Sequence, residues 1–232
     1  MLGVLISLCT NPSFAFLDSL WKRQLTWRIE TGYLTPPKIP NSIFDSQFAI
    51  VGMSRIHFGI GPVLKINDNW RVNTVCIYNH QFINQRFFFA GIVDANANNF
   101  VKHSLDEIMI SVGLEKRIAG DGKSEVFFHS AFQPWYYLCS KFIGKDKRIT
   151  DGISYFQSRI ISYPPQRIQF AVNLGIGYRF TGKKINRGFD LDLQLRQNAS
   201  IPYYYVVDGW FTYSDFYSTS SPYLGFSTFL EL

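Results

Sequence analysis

The sequence predicts an all-β fold: an eight-stranded antiparallel up-and-down β-barrel that crosses a membrane with its apolar face outward. Three observations predict it. Eight segments alternate apolar and polar residues with the period of two that belongs to strands. The connections between them alternate between short and long. The polar face of the segments is poor in lysine and rich in glycine, unlike a surface made for water.

The clearest segment is "IQFAVNLGIGYRFTG" (168–182). Ile168, Phe170, Val172, Leu174, Ile176, Tyr178 and Phe180 share one face, and Gln169, Ala171, Asn173, Gly175, Gly177, Arg179 and Thr181 share the other. A strand of about 13 residues, at roughly 3.3 Å per residue and a tilt of about 40°, rises about 33 Å. That covers an apolar band of about 25 Å and an aromatic girdle on each side.

Seven more segments follow the same rule. The first (24–34) sets Leu25, Trp27, Ile29 and Tyr33 against Thr26, Arg28, Glu30 and Gly32. The second (54–66) sets Ile56, Phe58, Ile60, Leu64 and Ile66 against His57, Gly59, Gly61 and Lys65. The third (70–79) alternates less cleanly around Arg71 and Asn73. The fourth (106–118) sets Ile108, Ile110, Val112, Leu114 and Ile118 against Glu107, Ser111, Gly113, Glu115 and Arg117. The fifth (125–137) is apolar on both faces, which leaves its register open. After the sixth (168–181), the seventh (189–198) sets Phe189, Leu191, Leu193 and Leu195 against Asp190, Asp192, Gln194 and Arg196. The eighth (223–232) sets Leu224, Phe226, Thr228, Leu230 and Leu232 against Tyr223, Gly225, Ser227 and Glu231. Pro62 lies within the second segment. A closed barrel has no free edge to accommodate it, so a bulge is expected there.

Short connections rich in Gly, Asn and Asp follow the second, fourth and sixth segments: "NDN", "AGDGKS" and "GKKINRG". Long ones rich in Pro, Asn, Ser and aromatics follow the first, third, fifth and seventh. This is the plan of an up-and-down membrane barrel.

A soluble barrel of the same size would put its apolar face inward. The polar face here argues against that, with one lysine and glycines at 32, 59, 61, 113, 175, 177 and 225. Small residues relieve crowding inside eight strands. Six bases (Arg28, Lys65, Arg71, Arg117, Arg179, Arg196) match six acids (Glu30, Glu107, Glu115, Asp190, Asp192, Glu231), as a closed interior requires. The expected interior ion-pair network comprises Arg28, Glu30, Glu115, Arg117, Arg179, Asp190, Asp192, Arg196 and Glu231. Trp27, Trp70, Tyr178, Phe180 and Phe189 fall near the short-turn end of the apolar face, where a girdle belongs. Charged residues make up 17% of the chain, below the roughly 25% of soluble domains. The net charge of +6 comes without a basic helix or a nucleic-acid-binding motif, so no nucleic-acid partner is expected.

The apolar start, "MLGVLISLCTNPSFAF", reaches Ser13 and Ala15 at the −3 and −1 positions of a cleavage site. Residues 1–15 are read as a signal peptide whose start may lie upstream, against the plainer reading of a short apolar segment. Residues 16–23 are read as a periplasmic lead-in and 24–232 as the barrel. Cys9, Cys76 and Cys139 have no metal-site spacing, and unpaired thiols are expected.

With these features in place, the sequence resembles the small eight-stranded outer-membrane barrels of Gram-negative bacteria, of the OmpA transmembrane-domain and OmpX type. The stretch "LGIGYRFTGKK" (174–184) is similar to a barrel family of Bacteroidetes that includes PorT-like proteins. The resemblance covers roughly residues 24–232 and is architectural. It implies short periplasmic turns, long extracellular loops and outer-membrane lipid and lipopolysaccharide as surroundings. The final Leu232 stands where such barrels often end in Phe.

Some barrels of this size modify lipid A. Here His129 and Ser130 are adjacent, so they point to opposite faces and cannot form a base–nucleophile pair without a bulge. No catalytic, metal-binding or cofactor-binding residue is expected, and no cofactor. Lys141, Lys145, Lys147 and Arg148 in one loop suit lipopolysaccharide phosphates, or are a plain solvated loop. Trp210, Phe211, Tyr213, Phe216 and Tyr217 crowd another, which either extends the wall or docks a protein partner, such as another outer-membrane protein. The expected role is a non-enzymatic structural or interaction component; the alternatives are a lipid A-modifying enzyme or a narrow channel.

Overall fold

The computed structural model describes residues 25–36, 48–87, 99–138, 142–150, 153–197, 200–207, 210–218 and 222–232. Over 48–53, 84–87, 99–103, 142–150, 153–160, 162, 200–207 and 210–218 the description is of the backbone alone. The signal-peptide and lead-in segments, residues 1–23, lie outside the described residues.

The described residues form twelve strands: β1 (Leu25–Thr35), β2 (Phe48–Lys65), β3 (Trp70–Phe87), β4 (Asn99–Gly120), β5 (Ser124–Tyr137), β6 (Phe142–Thr150), β7 (Ile153–Ser162), β8 (Gln169–Phe180), β9 (Asn186–Arg196), β10 (Ser200–Val207), β11 (Trp210–Ser218) and β12 (Pro222–Glu231). Eight close a barrel in the order β1-β12-β9-β8-β5-β4-β3-β2, every neighbour antiparallel. Closure is completed by Trp27 and Leu232, whose backbones exchange hydrogen bonds of 3.1 and 2.9 Å.

Two expectations need correction. The long connections after β5 and β9 are not irregular throughout. Each folds into a hairpin, and the hairpins join through β10 and β7 into a four-stranded sheet, β11-β10-β7-β6. Their polar and aromatic mixture hid strands that pair with each other and take no place in the barrel. Pro62 also causes no bulge. The β2–β3 ladder omits Gly61 and Pro62 and resumes in unchanged register at Val63↔Asn73. A proline that lacks an N–H costs one ladder site and need not shift the rest. Pro134 does the same on the β4 side of β5, where Gln133 Nε2 donates to Ser111 Oγ at 3.2 Å across the gap.

The three short turns fall at one end. Side-chain oxygens organise all three: Asn67 Oδ1 accepts from the backbone N–H of Asn69 and Trp70, Asp121 Oδ1 from that of Lys123 and Ser124, and Asn186 Oδ1 from that of Gly182. The N–H of Ser124, then that of Lys123, hold the exposed Asp121 carboxyl below its ordinary pKa. At the other end β2, β3 and β4 overrun their shorter neighbours. The β1–β2 ladder stops at Leu34↔Arg55 while β2 begins at Phe48.

The barrel is inverted relative to a soluble one. Ile56, Phe58, Ile60, Ile110, Val112, Ile176, Leu191 and Phe226 are exposed. Arg28, Arg55, Glu107, Glu115, Arg179 and Glu231 are buried. β4 shows the limits of the apolar belt. Its outward residues run Asp106, Ile108, Ile110, Val112, Leu114, Lys116. From Asp106 to Lys116, ten residues at a tilt of about 40° rise about 25 Å, the height of a membrane barrel's apolar band, and the exposed Ile118 continues the row beyond Lys116. The sequence-predicted girdle lies at the short-turn end of this belt, with Trp27 and Phe180 exposed and Tyr178 stacked on Phe189 at 5.9 Å.

Gly61 is the tightest approach between strands: a Cβ there would meet the Thr74 carbonyl oxygen and the Val75 Cα. Gly61→Val is expected to abolish the heat-modifiable gel migration of a folded barrel. Gly122→Asn should preserve it, because that turn position has φ +87° and open space around its Cβ.

Candidate functional site: the braced interior

Alternation points one residue in two of each strand into a lumen with room for side chains and little else. The charged ones sort into tiers by height. The lower tier, nearest the short turns, holds three arginines and three glutamates from six strands. Arg28 of β1 reaches Glu115 of β4 at 2.5 Å and Glu231 of β12 at 2.6 Å. Arg179 of β8 reaches Glu115 at 2.5 Å, Glu231 at 3.0 Å, and Glu125 of β5. Arg71 of β3 reaches Glu125 at 2.8 Å and Glu231 at 3.3 Å. Asn73 donates to Glu115 at 3.0 Å. The guanidinium of Arg28 lies 4.4 Å over the Phe229 ring and that of Arg179 4.5 Å over Phe127.

The upper tier is built around Arg196 and Glu107, paired through two parallel bonds of 3.1 and 3.0 Å. Arg55 joins them, donating to Gln194 and Gln81 at 3.0 Å each. Arg196 lies 3.6 Å over Trp135 and Arg55 4.4 Å over Tyr223.

Between the tiers is a cavity of about 40 Å³. On its wall Asp192 takes hydrogen bonds from Ser227 and Asn173 at 2.9 Å each and lies 2.9 Å from His129 Nε2. Glu30, Asp190, His57 and Asn79 also line the cavity. His57 Nδ1, Asn79 Nδ2, Asn173 Oδ1 and Asp190 Oδ1 are buried with no hydrogen-bond partner among the described residues. The space admits a few water molecules, and these groups are the ones water would satisfy. The lining includes Ser111, Ser130 and Ser227 with histidines and aspartates, and Ser227, which meets both His57 and Asp192, lacks the geometry of a nucleophile. Ser227 Oγ donates to Asp192, stands 3.4 Å from His57 Nε2, and no carboxylate orients the far side of that ring.

The nine residues expected as one network therefore divide. Arg28, Glu115, Arg179 and Glu231 meet in the lower tier, Asp192 lies at the cavity, and Arg196 lies in the upper tier. Glu30 and Asp190 line the cavity with no ion pair to a described residue. Arg117 turns to the rim, where it donates to the Gly120 carbonyl at 2.6 Å. Height is the reason: Asp192 and Arg196 share a strand and a face, but four residues separate them by about 13 Å. Lys65 is likewise at the rim, paired with Asp68.

Arg55, Glu125, Gln81, Gln133 and Gln194 also belong to the site. Arg55 is in phase with His57 and Gly59, a signal the sequence does contain. Glu125 depended on the open register of 125–137. The structure turns Glu125, Phe127, His129, Gln133, Trp135 and Tyr137 inward, so His129 faces Asp192 and Ser130 the opposite side. Lys141 lies outside the described residues. Lys145, Lys147 and Arg148 fall on β6, and Trp210, Phe211, Tyr213, Phe216 and Tyr217 on β11, described as backbone alone. Cys76 faces outward as a free thiol.

No protein-family model matches the chain, and no curated protein sequence is significantly similar to it. Solved structures show distant similarity. The outer membrane protease OmpT from Escherichia coli aligns over 90% of this chain and 92% of its own, at 9% identity and a TM-score of 0.38. The transport unit of the autotransporter AIDA-I from Escherichia coli aligns over 90% of each chain, at 9% identity and a TM-score of 0.30. The beta domain of the Bordetella autotransporter BrkA aligns over 89% of this chain and 98% of its own, at 7% identity and a TM-score of 0.25. Likenesses of this degree transfer neither an activity nor a residue's role.

Removing one partner from a buried ion pair strands the others. Arg179→Ala leaves three glutamates short of a shared guanidinium, a loss of about 3–5 kcal/mol. Its urea midpoint in lipid vesicles should fall far below that of the wild type. Lys65→Ala, at an exposed pair, should leave the midpoint unchanged.

Proposed function

We propose that the protein is an integral outer-membrane β-barrel that works by binding and not by catalysis, using the structure at its long-loop end. The observation that carries the membrane part is the inversion of the wall. An exposed apolar belt about 25 Å high surrounds buried arginines and glutamates. Water would punish that arrangement on both faces. Within outer-membrane barrels, eight-strand closure fits the OmpA and OmpX class, and the "LGIGYRFTGKK" stretch favours the Bacteroidetes branch.

The binding part rests on what stands outside the belt. The four-stranded sheet carries Trp210, Phe211, Tyr213, Phe216 and Tyr217 on β11, and Lys145, Lys147 and Arg148 on β6. Aromatics of this kind anchor protein interfaces. The basic strand, with Lys141 before it, suits lipopolysaccharide phosphates. The short turns then face the periplasm, and residues 1–15 serve as the export signal.

Orientation is tested with single cysteines at Asp68 and Asp146 in a cysteine-free background. An impermeant maleimide should label residue 146 in intact cells and leave residue 68 untouched; the reverse pattern refutes the topology.

The binding role is tested by replacing Trp210 and Phe211 with Ser. Heat-modifiable mobility should persist, because both lie outside the barrel strands, while co-purification of a partner from mild detergent weakens. Loss of a lipid A modification in His129→Ala, with the loop variant behaving as wild type, would replace this reading with the enzyme reading.

A further inference from the structure

The outer wall carries a groove whose floor is set by strand register. Thr31 of β1 lies opposite Thr228 of β12. The same row continues to Phe58 of β2 on one side and Phe189 of β9 on the other. Two short side chains thus stand between aromatic walls. Tyr33 and Phe226, also opposite each other, close the end toward the long loops. The groove has a volume of about 610 Å³, within the range of small-ligand sites.

Its other end leads to a cation. In the next row toward the short turns, Leu230 lies opposite Arg187, which is exposed on the lipid-facing side of β9 and lines the groove. The adjoining turn, residues 181–185, adds Lys183 and Lys184. None of the three makes an ion pair with a described residue. An apolar slot that opens on unpaired cations at the edge of the apolar belt has the shape and charge of one kind of molecule, an acyl chain with an anionic head.

We propose that this groove binds an anionic phospholipid of the leaflet at the short-turn end. One acyl chain lies over Thr31 and Thr228, and the phosphate is held by Arg187 with Lys183 and Lys184. The proposal rests on the membrane reading above. In the orientation given there, the short-turn end meets the periplasmic leaflet, which makes the occupant a phospholipid and not lipopolysaccharide.

The test uses delipidated full-length barrel in zwitterionic detergent, with phosphatidylglycerol and phosphatidylcholine added in equal amounts and retained lipid counted by native mass spectrometry. The wild type should keep one phosphatidylglycerol, preferred roughly tenfold over phosphatidylcholine. The triple variant K183Q/K184Q/R187Q should lose that preference. Thr228→Leu fills the floor without changing charge and should lose the retained lipid. Excess inorganic phosphate should not displace it, because the chain holds it in place. Equal retention of the two lipids by the wild type, full retention by Thr228→Leu, or displacement by phosphate each overturns the site. Heat-modifiable mobility identifies any variant that has not folded; Thr31→Leu then stands in for Thr228→Leu, and R187Q for the triple variant. A wild type that fails to insert into phosphatidylcholine vesicles overturns the membrane reading itself. One that inserts but shows no lipid preference overturns the groove alone.

Discussion

A guanidinium that cannot face hydrocarbon must face a carboxylate on another strand, and the rest of the barrel depends on that constraint. Arg28 and Arg179 each reach more than one glutamate, and Glu231 is shared by Arg28, Arg71 and Arg179. The lower tier thereby ties six of the eight barrel strands at one height. A one-residue slip in any of them would turn its charged residue to the lipid and its apolar row to the lumen. Register is therefore fixed by the charged network within. The glycines of the interior, Gly177 between Asp190 and Phe127 for example, leave the volume in which these side chains meet.

The interior is uneven in charge. Its ends hold the arginines, and the guanidinium groups of Arg28, Arg55, Arg179 and Arg196 each rest on an aromatic ring that excludes water while still favouring a cation. The middle holds Glu30, Asp190 and Asp192 with His57 and His129, around the cavity. Two dense plugs therefore enclose a wetter, more acidic segment. The same division explains why aromatic residues appear on both faces. Outside they form part of the exposed apolar wall, and inside Phe127, Trp135, Tyr223 and Phe229 meet arginine.

Much of this was legible in the sequence because a barrel wall repeats one rule. Strands β1, β8, β9 and β12 alternate so cleanly that their inward residues could be named, and the three short turns announced themselves through Asn, Asp and Gly. β5 was not legible, because its inward face carries Phe127, Trp135 and Tyr137, and alternation loses contrast when both faces are aromatic. The tiers were not legible either. Alternation says which face a residue takes but not its height against residues of other strands, so Arg196 and Arg28 looked like members of one network. The outer hairpins were hidden because β6, β7, β10 and β11 pair with one another, so no membrane imposes a pattern on their sequences.

Those hairpins enter the chain at two points where the barrel does not need them. β5 pairs directly with β8, and β9 directly with β12, so each insertion leaves and returns between strands that are already neighbours. The wall's hydrogen bonds close beneath them as they would beneath a two-residue turn. The closure of the wall and the outer sheet thus lie in separate parts of one polypeptide. Sequence drift, lengthening or wholesale exchange of the two hairpins can alter the outer sheet without reopening the question of how the wall folds.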